Sequence, residues 1–182
     1  TQGTLGTVAV TNPLGNNGQA VVNISSLNAN SYTNVVATYT DSTAKYAGSA
    51  SAAQTFTIQK ATPTVTLTSP VPNPGSSTDT IGTTFTFSAS VGGSGVLSPN
   101  GGTVTFKAGA NTITTATVSS GSASVSVTTG TFPLDRGGTP TDYTDITATF
   151  EGNTNLNVVT SAQGTLLLNK AAVNLVTEKD AE

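Results

Sequence analysis

The sequence repeats itself once. Residues 32–39 (YTNVVATY) match residues 143–150 (YTDITATF) without a gap, at a spacing of 111 positions. Each copy then runs through a polar loop to a strand-like segment that ends in Lys60 or Lys170, where the spacing is 110. Solenoid repeats span about 20 to 50 residues, whereas one immunoglobulin-like sandwich takes about 100. The spacing therefore predicts two copies of a sandwich-sized unit.

The second copy has the alternating pattern of β-strands. In residues 62–170, apolar and polar side chains alternate in short segments that turn residues separate about every 8 to 12 positions. We predict strands at residues 64–67, 83–91, 102–108, 111–118, 122–128, 143–150 and 162–169. Alternation directs one set of side chains to the core: Val65, Leu67, Phe85, Phe87, Ala89, Val91, Val104, Phe106, Val125, Val127, Ile146, Ala148, Phe150, Leu166 and Leu168. The predicted fold class is all-β, with immunoglobulin-like antiparallel β-sandwiches in tandem.

The first copy holds only the later strands of this pattern. Strands are predicted at residues 6–10, 19–25, 32–39 and 54–59, and the three leading strands of the second copy have no counterpart. We therefore predict a partial sandwich at residues 1–60, a complete sandwich at 61–170, and, at 171–182, the first strand of a following domain or a donor strand with a tail. Two explanations stay open: the sequence is a window of a longer tandem array, or a neighbouring chain supplies the missing strands.

Composition excludes several function classes. The polarity comes from hydroxyl groups, with 37 Thr and 19 Ser against only 8% charged residues. Because His, Cys, Met and Trp are all absent, no Ser/His or Cys/His pair, thiolate or imidazole ligand is available. The six basic residues are scattered, and no apolar run approaches the roughly 20 residues of a membrane span. We expect no enzyme activity, no cofactor, no nucleic-acid partner and no membrane insertion.

Four stretches carry a resemblance to a known family. They are residues 60–67 (KATPTVTL), 102–107 (GTVTFK), 115–118 (TATV) and 37–46 (ATYTDSTAKY). Together they resemble the tandem bacterial Ig-like domain repeats of large secreted and cell-surface, adhesin-type proteins. The resemblance implies a non-catalytic β-sandwich module that is joined end to end with its neighbours outside the cell. Two departures stand out: residues 131–142 form a longer link than usual, and Asn157 lies near the place of a loop tyrosine like Tyr46.

The acidic residues of one loop region are candidate calcium ligands. Asp135, Asp142 and Asp145 lie close together in the sequence, and calcium is held by several carboxylate and carbonyl oxygens. The spacing lacks an EF-hand pattern, and loop aspartates commonly serve as turn or capping residues. The favoured interpretation is therefore a set of solvated loop acids.

Three tyrosines are candidates for a packing or binding role. Tyr32 and Tyr143 begin the repeated strand in both copies, like the tyrosine corner of many immunoglobulin-type sandwiches. Because both copies share this placement, we favour a packing or hydrogen-bonding role over ligand stacking. Tyr46 lies in a loop and is a weaker candidate for carbohydrate contact.

The sequence leads to one preferred function and two alternatives. The preferred function is a non-enzymatic, secreted or cell-surface structural module, acting as a stalk, spacer or adhesive repeat. Its expected partners are neighbouring Ig-like domains of the same protein or identical chains, with surface polysaccharide as a further candidate. The first alternative is a filament subunit assembled by β-strand donation, with Val173, Leu175 and Val176 as the donor residues. The second is a carbohydrate-binding accessory module of a secreted enzyme.

Overall fold

A computed structural model describes residues 3–11, 18–73, 75–93, 97–130 and 142–173. Within these ranges the regular structure consists of β-strands and contains no helix, so the predicted all-β class is confirmed. The described part accordingly holds no helix that is long and apolar enough to cross a membrane. The chain divides into two compact units, Thr1–Gln59 and Lys60–Glu182.

The described residues of the first unit form four short strands. They are β1 (Asn30–Val35), β2 (Thr38–Tyr39), β3 (Ser49–Ala50) and β4 (Gln54–Ile58). β1 pairs antiparallel with β4, and β2 pairs antiparallel with β3. The strands predicted at residues 6–10 and 19–25 do not form; between these segments there is only an isolated bridge from Thr11 to Gln19. A strand needs continuous backbone partners, and alternation of side chains alone does not provide them.

In its described residues the second unit has nine strands. They are β5 (Thr64–Ser69), β6 (Ser77–Thr80), β7 (Thr84–Gly92), β8 (Thr103–Ala108), β9 (Asn111–Thr117), β10 (Ser122–Thr128), β11 (Tyr143–Phe150), β12 (Val159–Thr160) and β13 (Gly164–Asn169). One sheet has the order β10–β7–β5; the other has the order β6–β13–β11–β8–β9, with β12 paired to β11. The pairs are antiparallel, except that β6 runs parallel to β13. The seven predicted strands all form, while β6 and β12 were not predicted.

The core of the second unit lies between the two sheets. Every side chain that alternation directed inward is buried in this core or packed against it, which confirms the predicted strand faces. The rings of Phe87 and Phe106 connect the sheets at a centroid distance of 5.7 Å. The unit is therefore a β-sandwich.

Two turns of the second unit use positive φ values. Ser120 and Gly121 adopt positive φ values of 50° and 75°, and Gly101 adopts 79°. Asn100 ties the two turns together, because its side-chain oxygen accepts a hydrogen bond from the Gly121 N–H at 3.0 Å. Gly adopts such conformations without steric cost, which suits it to these strand connections.

Hydroxyl pairs join neighbouring strands of the second unit. Thr68 pairs with Ser88 at 2.8 Å, Thr86 with Ser126 at 2.9 Å, and Thr149 with Thr160 at 2.9 Å. Cross-strand Thr and Ser pairs of this kind contribute about 0.2 to 1 kcal/mol each. The abundant hydroxyl residues thus take part in strand pairing.

Candidate functional site

The apolar side chains of the first unit are only partly covered. None of its described residues, 3–11 and 18–59, is buried, whereas the second unit buries Phe87, Phe106 and Phe150 completely. Leu5, Val8, Val10, Val21 and Val22 are 39 to 57% exposed. Fully burying a side chain of this size contributes about 1.5 to 3 kcal/mol. The first unit therefore presents apolar surface that would be stabilised by a cover.

This surface forms an open cleft of about 1330 Å³. Residues 3–10 line one part of it, Ala20, Val22 and Ile24 a second part, and residues 34–42 a third. Most lining side chains are aliphatic or hydroxyl-bearing, and Asp41 is the one carboxylate among them. We refer to this cleft as the open face.

A polar turn lies at the border of the open face. The Asp41 carboxylate accepts hydrogen bonds from the backbone N–H groups of Thr43 (2.9 Å), Lys45 (2.7 Å) and Tyr46 (2.8 Å). It also accepts a bond from the Thr43 hydroxyl at 2.8 Å. These bonds lower the pKa of Asp41 to about 2, and those from the Thr43 backbone and hydroxyl contribute most. Desolvation of the carboxylate acts in the opposite direction and is outweighed. Asp41 is therefore ionised at neutral pH and organises the turn.

The second unit has the equivalent turn. Asn153 takes the place of Asp41, because its side-chain oxygen accepts the N–H groups of Asn155 (2.9 Å) and Leu156 (2.8 Å). The last donor of each turn is Tyr46 in the first unit and Leu156 in the second. Leu156, rather than Asn157, therefore stands at the position of the loop tyrosine. Leu156 is fully buried, whereas Tyr46 is 71% exposed.

A serine closes each turn in the same way. The Ala37 N–H donates to the Ser51 hydroxyl at 3.1 Å, and the Ala148 N–H donates to the Ser161 hydroxyl at 3.0 Å. In both units the serine N–H returns a bond to the same alanine, at 2.9 Å. The ladders also shift register at matching places, between Tyr32 and Val35 and between Tyr143 and Ile146. The sequence repeat thus corresponds to repeated hydrogen bonding.

Replacing Ser161 by alanine is expected to lower the free energy of unfolding by about 1 to 3 kcal/mol, because the buried Ala148 N–H loses its side-chain partner. Ser51→Ala is the matched control, and since Ser51 is exposed we expect a change below about 0.5 kcal/mol. Chemical denaturation followed by circular dichroism measures both. Equal losses would contradict the difference in burial.

The Asp41 turn is expected to titrate at low pH. Because the folded pKa is about 2 and the ordinary value is 3.8, the turn's contribution to stability is fully present above about pH 4 and is lost as the pH falls through 2. The amide NMR signals of Thr43, Lys45 and Tyr46 should therefore shift with a midpoint near pH 2. Thr43→Ala should raise that midpoint by removing the hydroxyl donor. A midpoint near 3.8 in the unchanged chain would contradict the hydrogen-bonded carboxylate.

The segment that enters the second unit is bound to the second unit's turn. Ala61 donates its N–H to the Asn155 carbonyl and accepts the Asn157 N–H, both at 2.9 Å. The Lys60 ammonium donates to the Asn153 carbonyl at 2.7 Å, and the Asn157 side-chain amide donates to the Thr62 hydroxyl at 3.1 Å. We refer to residues 60–62 as the entry segment. It joins residues more than 90 positions apart in the sequence.

The calcium candidates have different positions. Asp142 is exposed, whereas Asp145 is half-buried in β11, where the strand register shifts and its carbonyl accepts the Gly109 N–H at 3.3 Å. Asp135 lies outside the described residues. Among the described residues, no three His, Cys, Asp or Glu side chains come together. The calcium hypothesis stays a prediction.

The strand-donor candidates are only partly described. Val173 is 84% exposed, while Leu175 and Val176 lie outside the described residues. The exposed Val173 is available for contact with another molecule. Strand donation itself stays a prediction.

The two repeated tyrosines have packed rings. The Tyr32 hydroxyl donates to the Asn28 carbonyl at 2.9 Å, and its ring stacks on Phe56 at 5.0 Å. Tyr143 is buried at the start of β11. For Tyr32, the bond to a carbonyl a few residues upstream is the geometry of a tyrosine corner. Carbohydrate contact by Tyr46 stays a prediction.

The chain has a distant structural neighbour among known proteins. No protein-family model and no curated protein sequence matches the chain. Among solved structures, the chain is similar to the fibronectin(III)-like modules of CbhA from Clostridium thermocellum, with 18% identity and a TM-score of 0.39. The match covers 59% of this chain, and the chain spans 47% of that one. The class that the strands themselves define is an all-β sandwich protein.

Proposed function

We propose that the chain is a non-enzymatic structural part of a secreted or cell-surface protein, in which immunoglobulin-like sandwiches follow one another as a stalk, spacer or adhesive repeat. Two facing sheets, with order β10–β7–β5 and β6–β13–β11–β8–β9, support an immunoglobulin-like arrangement. The repeated turns and serine bonds support a second copy of the same module in the first unit.

The observation that carries this proposal is the short segment that leads into the second unit. Only five residues separate Ile58, the end of β4, from Thr64, the start of β5. Three of the five form the entry segment, which holds five hydrogen bonds to the Asn153 turn. These bonds all lie within the second unit, so the chain enters that sandwich at a fixed place. A fixed entry shortly after β4 suits modules that follow one another along a chain.

Single-molecule force spectroscopy of the full chain tests this proposal. We expect one cooperative unfolding event for the second unit that releases about 350 Å of chain, since an extended residue spans at most about 3.3 to 3.6 Å. Smooth extension without a force peak would contradict a load-bearing module.

The open face favours a second candidate function, a filament subunit assembled by β-strand donation. An uncovered apolar surface in one unit and an exposed Val173 following the other supply a receptor and the start of a donor. Light scattering at several protein concentrations, with a variant lacking residues 171–182 as control, tests this candidate. Assembly that requires those residues supports donation, and concentration-independent monomers overturn it.

A further inference from the structure

The second unit shows how a lysine-alanine segment binds to a turn, and we use this contact as a template. The entry segment lies beside Leu156, because Ala61 bonds the carbonyl of the preceding residue and the N–H of the following one. Lys60 places its ammonium group on the carbonyl of Asn153, the residue that organises the turn. The contact thus needs three things: a lysine-alanine pair, a turn acceptor, and two free backbone groups that flank the last residue of the turn.

The first unit has a turn that corresponds to the turn of the template. Its turn is organised by Asp41 and ends at Tyr46, as the other turn is organised by Asn153 and ends at Leu156. The groups that flank Tyr46 are the Lys45 carbonyl and the Ala47 N–H. Neither has a hydrogen-bond partner among the described residues. Asp41 also adds a negative charge where the template offers the neutral Asn153.

Residues after β13 correspond to the lysine-alanine segment of the template. Lys170 and Ala171 repeat Lys60 and Ala61, and they follow β13 closely, as Lys60 follows β4. Residues 170–173 are exposed, and the Lys170 side chain contacts no acceptor in the described ranges. The entry segment itself is already bound to the second unit. Residues 170–173 are therefore a second lysine-alanine segment, and among the described residues it contacts no turn.

We propose that the Asp41 turn of one molecule binds residues 170–173 of a second copy of the chain, with Ala171 beside Tyr46 and the Lys170 ammonium at Asp41. The two backbone hydrogen bonds of the template form again, and opposite charges strengthen and orient the contact. Residues 172 and 173, which follow Ala171, are thereby led to the edge of the open face. This inference deepens the proposed function, on which it rests, by naming the surface through which modules meet head to tail.

Disulfide trapping tests the contact, because the chain contains no cysteine. Ala61 and Leu156 are bridge partners in the template, so cysteines at the equivalent positions, Tyr46→Cys and Ala171→Cys, lie within the Cα separation that a disulfide allows. The two single-cysteine chains are mixed under mild oxidation, and the mixed dimer is followed on a non-reducing gel. We expect it to form at least tenfold faster than the dimer of Tyr46→Cys with Thr115→Cys, a control on exposed β9.

The charge of Asp41 provides an independent test. Asp41→Asn keeps a turn acceptor of the kind that Asn153 supplies but removes the charge, so trapping at low salt should slow severalfold, and 1 M salt should slow the unchanged pair similarly. Trapping at the rate of the Thr115→Cys control would overturn the docking. If trapping fails while the second unit still gives its unfolding peak in force spectroscopy, the docking is wrong and the proposed structural role stands. The failure of the docking and the failure of the proposed function are therefore distinguishable.

Discussion

Replacing Phe150 by alanine is expected to lower the free energy of unfolding of the second unit by about 3 to 5 kcal/mol. The Phe150 ring is fully buried between the sheets, and its removal leaves a cavity that packed neighbours fill only in part. Denaturant unfolding followed by circular dichroism measures the loss.

The repeat supplies a matched control for this substitution. Tyr39 occupies the position of Phe150 in the first copy, at the end of the repeated segment, but it is only half-buried beside the open face. Tyr39→Ala is therefore expected to cost about 1 kcal/mol or less. A large loss at Tyr39 would mean that the first unit has a closed core in solution, contrary to the open face.

Replacing Gly164 by valine is expected to destabilise the second unit by about 3 kcal/mol, although valine favours strands. A Cβ at Gly164 would meet the Leu67 side chain at 2.5 Å and the Val71 and Pro70 carbonyls at 3.0 and 3.2 Å. The two backbone carbonyls have little room to move. The chain between β5 and β6 passes over β13 at this point, so only glycine fits.

Gln163→Val controls for the change in strand preference. Gln163 is the exposed neighbour of Gly164, and its substitution should change the free energy of unfolding by less than about 0.5 kcal/mol. Thermal unfolding of the two variants separates steric crowding from propensity. Equal stability of Gly164→Val and Gln163→Val would contradict the close approach.

Alternation predicted the strands of the second unit that carry apolar side chains at every second position. Phe85, Phe87 and Ala89 in β7 face one way because successive side chains of a strand point to opposite faces, and the pairing of β7 on both edges fixes its orientation. β6 was missed because its four residues, Ser77–Thr80, are polar and carry no alternating apolar signal. The strands predicted at residues 6–10 and 19–25 were wrong because alternation reports which faces differ in polarity, not whether partner strands are present.

The candidate site was harder to predict. The open face followed from the missing leading strands, and Tyr32 from its repeat with Tyr143. The matching roles of Asp41 and Asn153 could not be recognised, because the turns differ in length and the acceptors in residue type. Contact between the entry segment and that turn spans more than 90 positions and depends on backbone groups, which leave no pattern in the side chains.

The hydroxyl pairs between strands bear on how the stability of the sandwich depends on salt. Thr68 with Ser88, Thr86 with Ser126 and Thr149 with Thr160 are neutral, so dissolved ions do not screen them as they screen surface ion pairs. With only 8% charged residues, the chain has few side chains that could form ion pairs for salt to weaken. We therefore expect the fold of the second unit to change little between low and high ionic strength.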